Sequence, residues 1–316
     1  QLKLNQVMRV VNRWMAEHGL SLTLAKTEIV VLTKKRIPTS ISWRVGEEVV
    51  TSKNSARYLG VTIDKKLSFG KQIQHAADKA AKNTAALSRL MINVGGPQAS
   101  TRRLLMSVTH SILLYGAEVW ADALNKEAYR KRIARVQRLG ALRIVSAYRT
   151  VSEPAIVVIA GVIPIAFLAG ERKKLHERRT EGRKEILSRE ERNRTFQNWQ
   201  ASWEDDQRGR WTARLIKGVK EWVRRPHGEV DFYLTQLLSG HGYFRAYLKR
   251  MGKAEEEECL YCPGSRDDAL HTFFACDRWQ RLKRDLEAVI GQQTPDTLVE
   301  TMLSSETSWT RIARYA

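Results

Sequence analysis

All three cysteines of this 316-residue chain lie within one short stretch, CLYCPGSRDDALHTFFAC, at positions 259–276. The same stretch contains a histidine, and the spacing Cys-x2-Cys-x8-His-x4-Cys runs through Cys259, Cys262, His271 and Cys276. Structural zinc takes four tetrahedral nitrogen or sulfur ligands, whereas an odd number of cysteines cannot pair completely as disulfides and favours a reducing compartment. We therefore predict a structural zinc site here; the alternative is a chance grouping of buried cysteines and a histidine. The stretch is too short and polar for a core of its own, and bound metal can supply the missing folding free energy.

The charge of the chain points to a polyanionic partner. Lys and Arg number 54 against 34 Asp and Glu, which gives a net charge of +20, while 43% hydrophobic residues suffice for a real core. Nucleic acid is the first candidate for so basic a chain, and a merely solvated basic surface is the alternative. No run of 18 apolar residues exists and no signal peptide is visible, so we expect no membrane association. The chain begins with Gln1 inside a helical pattern, which predicts a piece of a longer polypeptide.

The first 68 residues predict one helix followed by a small antiparallel sheet. Apolar residues at helical spacing over 4–18 end at Gly19. The next sixty residues contain short β-branched runs that predict strands and hairpins, with a tight turn at Gly46. These runs are LSLTL, EIVVLT, ISWRV, EVVTS and RYLGVTI.

Three helices follow, with apolar residues on one side and basic residues on the other. The first runs from about residue 69 to the break GGP at 95–97, the second continues to Val119, and the third covers about Lys126 to Tyr148. The outward-facing cations of the first and third are Lys71, Lys82, Arg89, Lys131, Arg135 and Arg138. This arrangement predicts a small helical bundle with a positive face.

The second half of the chain predicts further helices. Pro154 and Pro164 mark helix starts around AIVVIAGV, and a charged segment from Ala166 to about Asp206 favours ion pairs within one helix. Tryptophans 199, 203, 211 and 222 recur at roughly helical spacing. Such residues can stack on nucleobases, but core packing is the more common role.

Several stretches in the right order resemble the reverse transcriptases of non-LTR (LINE-type) retrotransposons, specifically the arthropod lineages that insert at fixed genomic sites. The resemblance is carried by GLSLTLAKTEIVVLT, ARYLGVTID, LSFGKQIQHAADKAAKNTAALSRLMINVGGP, SILLYGAEVWADAL, RVQRLGALRIVSAYRTVSEPA and the Cys-Cys-His-Cys knuckle near the C terminus. It covers most of the chain and is weakest between about 180 and 245. Unlike the retroviral knuckle, this one has eight residues between the second cysteine and the histidine, so RNA reading by analogy does not transfer directly. Contact with nucleic acid and a purely structural zinc remain open alternatives for the knuckle.

The resemblance implies roles for particular residues. GLSLTLAKT looks like motif D of the polymerase palm, which makes Lys26 a candidate general acid toward the leaving pyrophosphate; a surface lysine is the alternative. Tyr58 and Gly60 fall on motif E, the hairpin that grips the primer end, although Tyr58 can equally be a packed strand residue. Residues 69–150 correspond to the thumb. The six helical cations named above are then candidates for contacts with the sugar–phosphate backbone, which hold any sequence alike.

The catalytic aspartates of a polymerase are expected upstream of Gln1. Phosphoryl transfer uses paired carboxylates to hold two divalent ions, and the chain has only two Asp-Asp pairs, at 205–206 and 267–268. Neither pair follows the aromatic-Ala signature of the family, so both are expected to be solvated acids. Magnesium is accordingly expected only in the intact polymerase, with ligands outside this chain. This segment alone is predicted to be inactive.

The sequence thus predicts a predominantly α-helical α+β chain. The predicted segments are the end of the palm (1–68), a helical thumb (69–150), a helical connector (151–249), a zinc knuckle (250–290) and a C-terminal helical tail (291–316). By resemblance it binds template RNA and primer or target DNA during target-primed reverse transcription in the nucleus, after cytoplasmic assembly on element RNA, together with the palm, fingers and endonuclease of the same polyprotein. The alternatives are a non-enzymatic zinc-dependent RNA- or DNA-binding remnant and an assembly module for an acidic protein partner.

Overall fold

The computed structural model describes residues 2–35, 40–45 and 48–316. The chain divides into two compact units, residues 1–75 and 76–316. Helices dominate, and the two sheets are antiparallel and two-stranded. The predicted fold class, predominantly helical α+β, is confirmed. The finer division into five segments stays a prediction.

The first unit contains one helix and two hairpins. Helix α1 (Leu2–Glu17) ends before Gly19, whose φ of +67° is the left-handed conformation that stops a helix. The hairpins are formed by β1 (Ser42–Val45) with β2 (Glu48–Thr51), and by β3 (Ser55–Tyr58) with β4 (Val61–Asp64). The predicted turn at Gly46 lies outside the described residues.

Two of the predicted strands do not form, and the single sheet is replaced by two separate hairpins. LSLTL forms no strand and its last residue begins the 3-10 turn Leu24–Lys26, and EIVVLT contains one isolated bridge, from Val30 to Lys53. The backbone of this second segment bonds in two directions, since Lys53 N donates to Ile29 O (2.7 Å) and Thr33 N donates to Lys65 O (2.9 Å). Its backbone N–H and C=O groups bond to different partners one at a time. A continuous row of hydrogen bonds with one neighbouring strand therefore does not form. β-branched composition alone cannot reveal this.

The remainder of the chain is helical. Helix α2 (Gly70–Ser88) crosses the boundary between the two units. The helices that follow are α3 (Ala99–Leu113), α4 (Ala117–Trp120), α5 (Glu127–Ile144), α6 (Glu153–Ile159), α7 (Ile165–Glu177), α8 (Lys184–Asp205), α9 (Arg210–Leu215), α10 (Val219–Arg224), α11 (Phe232–Ser239), α12 (Arg245–Arg250), α13 (Ala269–Phe274), α14 (Gln280–Ile290), α15 (Leu298–Ser304) and α16 (Glu306–Tyr315). Two 3-10 turns, Ala121–Asn125 and Asp277–Trp279, precede α5 and α14.

The three predicted thumb helices are present, with shorter bounds. The predicted second helix divides at Gly116, whose φ is +66°, into α3 and α4. The third ends at Ile144, and Ser146 follows with a φ of +57°. Gly140 lets α5 approach α3 closely, because a Cβ there would lie 3.3 Å from the Met106 sulfur. Local periodicity predicted the positions of these helices correctly, but the predicted helices extended beyond the residues at which the helices end.

The core of the second unit surrounds the apolar helix α6, in which Ile156, Val158 and Ile159 are fully buried. Trp199, Trp203 and Trp222 pack in the same core, and Trp203 Nε1 donates to the carbonyl of Ile216 (3.0 Å). These three indoles are therefore core residues and are not free to stack on nucleobases.

The charged segment 166–206 forms α7 and α8, and part of its pairing runs between the helices. Arg192 donates to both carboxylate oxygens of the buried Glu171, and Arg178 bonds Glu191, which is only 2% exposed. The prediction of pairing within one helix is therefore incomplete, because buried carboxylates need partners and here these lie on or beside the neighbouring helix.

The length and apolar composition of the helices were compared with those of membrane-spanning helices. Among the described residues no single helix is long and apolar enough to cross a membrane. The segments Ala99–Leu113 and Ala117–Asn125, bent by 52°, meet the length and composition requirements only when taken together.

Candidate metal centre and candidate nucleic-acid surface

A small hairpin brings the first two cysteines onto one turn. Glu258 and Arg266 form an antiparallel bridge, and the N–H of Cys259 donates to the carbonyl of Ser265 (2.8 Å). The N–H of Ser265 in turn donates to the carbonyl of Cys262 (3.1 Å). These backbone hydrogen bonds close the turn that carries the two cysteines.

The adjacent aspartates position the histidine. The Asp268 carboxylate accepts from the N–H of His271 (2.9 Å) and caps α13. Asp267 accepts from the N–H of Arg245 (2.9 Å) at the start of α12 and from the hydroxyl of Thr272 (2.6 Å). The predicted solvated acids are therefore helix-capping residues, which explains an Asp-Asp pair inside the cysteine stretch.

The four predicted ligands converge on one point. One ligand atom from each of Cys259, Cys262, His271 and Cys276 lies within 4.8 Å of all the others. The Cys276 sulfur is 3.7 Å from that of Cys259 and 3.9 Å from that of Cys262, and all three thiols are free and buried. His271 Nε2 is buried and has no hydrogen-bond partner among the described residues. Such an atom calls for a partner, and a Cys3His group of this geometry can hold a metal ion such as zinc.

Backbone groups around the sulfurs favour the thiolate that a metal requires. The N–H of Tyr261 points at the Cys259 sulfur (3.5 Å) and that of Asp277 at the Cys262 sulfur (3.2 Å). Burial raises the pKa of the Cys259 thiol, but the Tyr261 N–H and the His271 side chain outweigh it and lower this pKa to about 7. At Cys276, burial and the two neighbouring sulfurs raise the pKa to about 12. The thiolate is therefore favoured at Cys259 and opposed at Cys276, where a bound cation would stabilise it.

The cysteine group is attached to the helical core. Trp279 packs against the three cysteines. Phe273, in α13, is buried, and its carbonyl accepts from the hydroxyl of Tyr315 in α16 (3.1 Å). The cysteine group is thereby connected to the packing of the C-terminal helix α16.

In the first unit, the hairpin predicted as motif E is present. Its two turn residues, Leu59 and Gly60, have φ values of +46° and +82°, the signs of a type I′ hairpin turn. Tyr58 is 66% exposed, so it is not a packed strand residue. Lys26 is also exposed, at the end of its 3-10 turn.

The helical cations predicted to contact nucleic acid differ in their surroundings. Lys71, Lys82, Arg89 and Arg135 are exposed, and Lys71 Nζ donates to the hydroxyl of Ser55 (3.0 Å). Lys131 is exposed and pairs with Glu127 (2.6 Å) one turn earlier.

Arg138 has a different environment from the other predicted cations. It is half-buried and donates to the carbonyls of Arg149 and Val151, in the latter case from Nε (3.2 Å) and Nη2 (2.7 Å). Its guanidinium supports the loop after α5.

Sequence reasoning missed three further cations on α5, Arg130, Arg132 and Arg143. Arg132 and Arg143 are exposed on the helix, and neither they nor Arg135 pair with a carboxylate within the described residues. We refer to Lys131, Arg132, Arg135 and Arg143 as the α5 basic stripe. Arg132, Arg135 and Arg143 lie at helical spacing on one side of α5, with Leu139 between the last two. The periodicity that identified Arg135 could therefore also have identified Arg132 and Arg143.

A buried arginine was also missed. Arg102 in α3 is 3% exposed and donates to the carbonyls of Ile92 (2.7 Å), Pro97 (2.5 Å) and Arg143 (3.0 Å) and to the hydroxyl of Ser146 (2.7 Å). Burial and the nearby Arg143 lower its pKa. It joins the loop before α3 to the end of α5 and is not available to a ligand.

A basic helical chain with a hairpin tip and a Cys3His group is thus defined, and comparison with known proteins shows what it is similar to. The chain is a homologue of the Pol polyproteins of non-LTR retrotransposons, as the sequence resemblance implied. It is 30% identical over 332 aligned residues to the 115 kDa protein of the type-1 retrotransposable element R1DM of Drosophila melanogaster, an alignment that covers 98% of this chain and 32% of that protein.

The relatives belong more narrowly to R1 elements. Two proteins of Nasonia vitripennis, each described as a retrovirus-related Pol polyprotein from a type-1 retrotransposable element R1, are both 25% identical to the chain. The alignment with one covers 89% of this chain and 73% of that protein; with the other, 84% of each. The chain therefore spans about a third of the length of the fly protein. No protein-family model and no solved structure matches it.

Proposed function

We propose that this chain is the part of a retrotransposon reverse transcriptase that holds template RNA and primer or target DNA by their backbones. The homology to R1 Pol polyproteins supports the reverse transcriptase context. The observation that carries nucleic-acid binding is the α5 basic stripe, in which Arg132, Arg135 and Arg143 are exposed without a carboxylate partner within the described residues. Cations left unpaired on a rigid helix suit contacts with phosphates, which are independent of sequence.

The metal at the knuckle is zinc in this proposal, and its role is structural. Cys259, Cys262, His271 and Cys276 would hold it, and the bound ion would join the turn at 259–262 to α13 and to the turn before α14. Because Phe273 and Tyr315 link α13 to α16, zinc would stabilise the C-terminal helices as well. Nucleic acid need not touch the ion for this role.

Catalysis depends on parts of the polyprotein outside this chain. The carboxylates that hold magnesium, the fingers and the endonuclease would come from elsewhere in the polyprotein, and the assembled enzyme would act in the nucleus. Within this chain, Lys26 would act as general acid, and Tyr58 and Gly60 would contact the primer end. Both proposals are consistent with the exposure of Lys26 and Tyr58.

The proposal is tested by binding a fluorescein-labelled RNA–DNA hybrid to the zinc-loaded chain over a salt series. Each cation that stops neutralising a phosphate should lower the slope of log affinity against log salt by about one. The triple variant Arg132→Gln, Arg135→Gln, Arg143→Gln should therefore weaken binding and reduce the slope by about three.

The matched control replaces three exposed cations, Arg183→Gln, Lys184→Gln and Arg189→Gln, at and within the N-terminal half of α8. It removes the same net charge from another surface. Equal losses of affinity in the two triple variants would mean that only net charge matters and would refute the assignment to α5. Displacement of the hybrid by polyglutamate at equal charge would instead favour an acidic protein partner.

A further inference from the structure

Beside the knuckle, one large aromatic side chain is presented to solvent on a rigid loop. Tyr243 lies between α11 and α12 and is 75% exposed, and Tyr233 in α11 is 54% exposed. A groove of about 1080 Å³ runs along both, with Trp279 in its lining. Exposed aromatic surface that gains nothing from packing is a feature of binding sites.

The loop that carries Tyr243 is held from beneath. The N–H of Tyr243 donates to the side-chain oxygen of Gln236 (2.9 Å), a residue that is only 8% exposed. The same oxygen would lie 2.3 Å from a Cβ at position 242, so Gly242 is required there. Tyr243 is therefore fixed at its backbone, and its side chain, which hydrogen-bonds that of Tyr148, remains three-quarters exposed.

A chain of hydrogen bonds supports the loop from its other side. Arg250 Nη2 lies 3.2 Å from His241 Nε2, His241 Nδ1 lies 2.9 Å from the hydroxyl of Thr150, and that hydroxyl lies 2.7 Å from Tyr247 Oη. Arginine has only donors, so Nε2 accepts and the imidazole is neutral. Burial first, and Arg250 second, lower the pKa of His241 to about 4, which keeps it neutral.

Cations next to the residues that support this loop suit phosphates: Arg149 adjoins Thr150, and Lys249 adjoins Arg250, whose guanidinium contacts His241. Arg149, Lys249 and Arg250 are exposed and pair with no carboxylate in the part of the chain that the structure describes. Of the nearby acids, Asp267 is occupied by the N–H of Arg245, and Glu256 pairs with Arg245 (3.5 Å). Further along, the groove is lined by two arginines and two acids, Arg311, Arg314, Asp285 and Glu306, whose charges balance.

We infer that Tyr243 is a stacking platform for an unpaired nucleobase of single-stranded nucleic acid, with Arg149, Lys249 and Arg250 holding the flanking phosphates. The site rests on the proposed function. It extends that function from a duplex that is held by its sugar–phosphate backbone to a single strand that is also held by its bases. Stacking on an aromatic ring tolerates any base, which suits a protein that must pass a whole template.

The test measures fluorescence anisotropy of the zinc-loaded full chain with three probes: a single-stranded RNA, a single-stranded DNA of the same sequence, and a blunt RNA–DNA hybrid. Loss of one stacked base is expected to weaken binding roughly 5- to 150-fold. Tyr243→Ala should therefore lose this much affinity for a single strand and none for the hybrid, whereas Tyr243→Phe should bind like the wild type. The two single strands show whether RNA, DNA or both are accepted.

An abasic single strand separates stacking from charge. Wild type should lose as much affinity on the abasic strand as Tyr243→Ala loses on the normal strand, and the variant should lose nothing more on the abasic strand. Circular dichroism melting checks that Tyr243→Ala folds, as expected for a side chain three-quarters exposed.

The outcomes distinguish this inference from the proposed function. Unchanged single-strand binding by Tyr243→Ala, with hybrid binding intact, overturns the stacking site but leaves the proposed function standing. Equal losses of affinity on single strand and hybrid overturn base stacking as well, since a blunt duplex offers no unpaired base. If wild type binds neither, the proposed function fails, and the stacking site fails with it.

Discussion

Arg102 permits a sharp test of how this fold is held together. Its guanidinium is buried in α3 and makes four hydrogen bonds, to Ile92, Pro97, Arg143 and Ser146, with no carboxylate among them. Three acceptors are backbone carbonyls at the ends of segments that leave or enter helices, where intrahelical partners are missing. Replacement by methionine keeps much of the volume and removes every donor.

The expected loss of stability follows from the acceptors left behind. A buried acceptor without a donor costs about 1–3 kcal/mol, and four such groups give an upper limit near ~12 kcal/mol. Two effects reduce it: water can reach the three partly buried bonds, and the variant no longer desolvates a charge. Breaking a buried charged network typically costs about 3–5 kcal/mol, and we expect Arg102→Met to fall in this range. Arg102→Lys should lose less, because one ammonium can reach some but not all of the four acceptors.

The assay is urea denaturation followed by circular dichroism with saturating zinc. Arg103→Met is the matched control, since the neighbouring Arg103 makes one described hydrogen bond, to the carbonyl of Ala160 (3.2 Å), and should lose about 1 kcal/mol. If Arg102→Met loses no more free energy of unfolding than Arg103→Met, the carbonyls at 92, 97 and 143 do not need this donor. The reasoning would then be refuted.

Three further predictions concern the metal, an acidic cap and a glycine. Mass spectrometry should find one zinc per chain, and chelation or Cys262→Ser should abolish it and lower the melting temperature; unchanged melting would exclude a structural metal. Burial opposes the charge of Asp64, but the N–H groups of Ser68, Lys66 and Phe69 outweigh it and lower its pKa. The stability that Asp64 contributes is therefore present above its unfolded-state pKa and is lost as the pH falls through the lower folded-state pKa. In the variant Asp64→Asn, the stability of residues 1–75 should therefore depend less on pH in the acid range. An unchanged dependence of stability on acid pH would contradict this. Gly242→Ala should destabilise by about 1–3 kcal/mol through its clash with the Gln236 side chain, and a neutral effect on denaturant unfolding would show that Gln236 moves aside.

The residues that sequence reasoning located correctly are those specified by local spacing. The Cys3His group follows from four positions within eighteen residues, and the structure brings all four together. Helix α5 follows from apolar residues at a period of about 3.6, and Ile133 and Val136 are buried as expected. In both cases the information lies within a few turns of one segment.

What could not be predicted depends on partners distant in sequence. Thr150 and His241 are 91 residues apart, and Arg102 and Ser146 are 44 apart. The segment EIVVLT has the composition of a strand, but its hydrogen bonds go to residues 53 and 65, in two different places. Strand formation needs a neighbouring strand in register, which composition does not supply.

The basic residues of this chain also have to be separated into those that bond other protein groups and those that remain exposed, before positive charge can indicate nucleic-acid binding. Arg102 in α3 directs its donors to carbonyls of the loop before α3 and to the end of α5, and Arg138 in α5 directs its donors to carbonyls of the loop after α5. Arg178 and Arg192 are likewise committed to the carboxylates of Glu191 and Glu171. The net charge of +20 counts all four alike. A buried arginine that donates hydrogen bonds to carbonyls has already replaced its bonds to water by bonds to the protein. If it turned outward to bind a phosphate, those carbonyls would be left without a donor. The proposed nucleic-acid binding must therefore rest on the cations that the fold leaves exposed, and this is why the α5 basic stripe, rather than the overall charge, is the surface to mutate first.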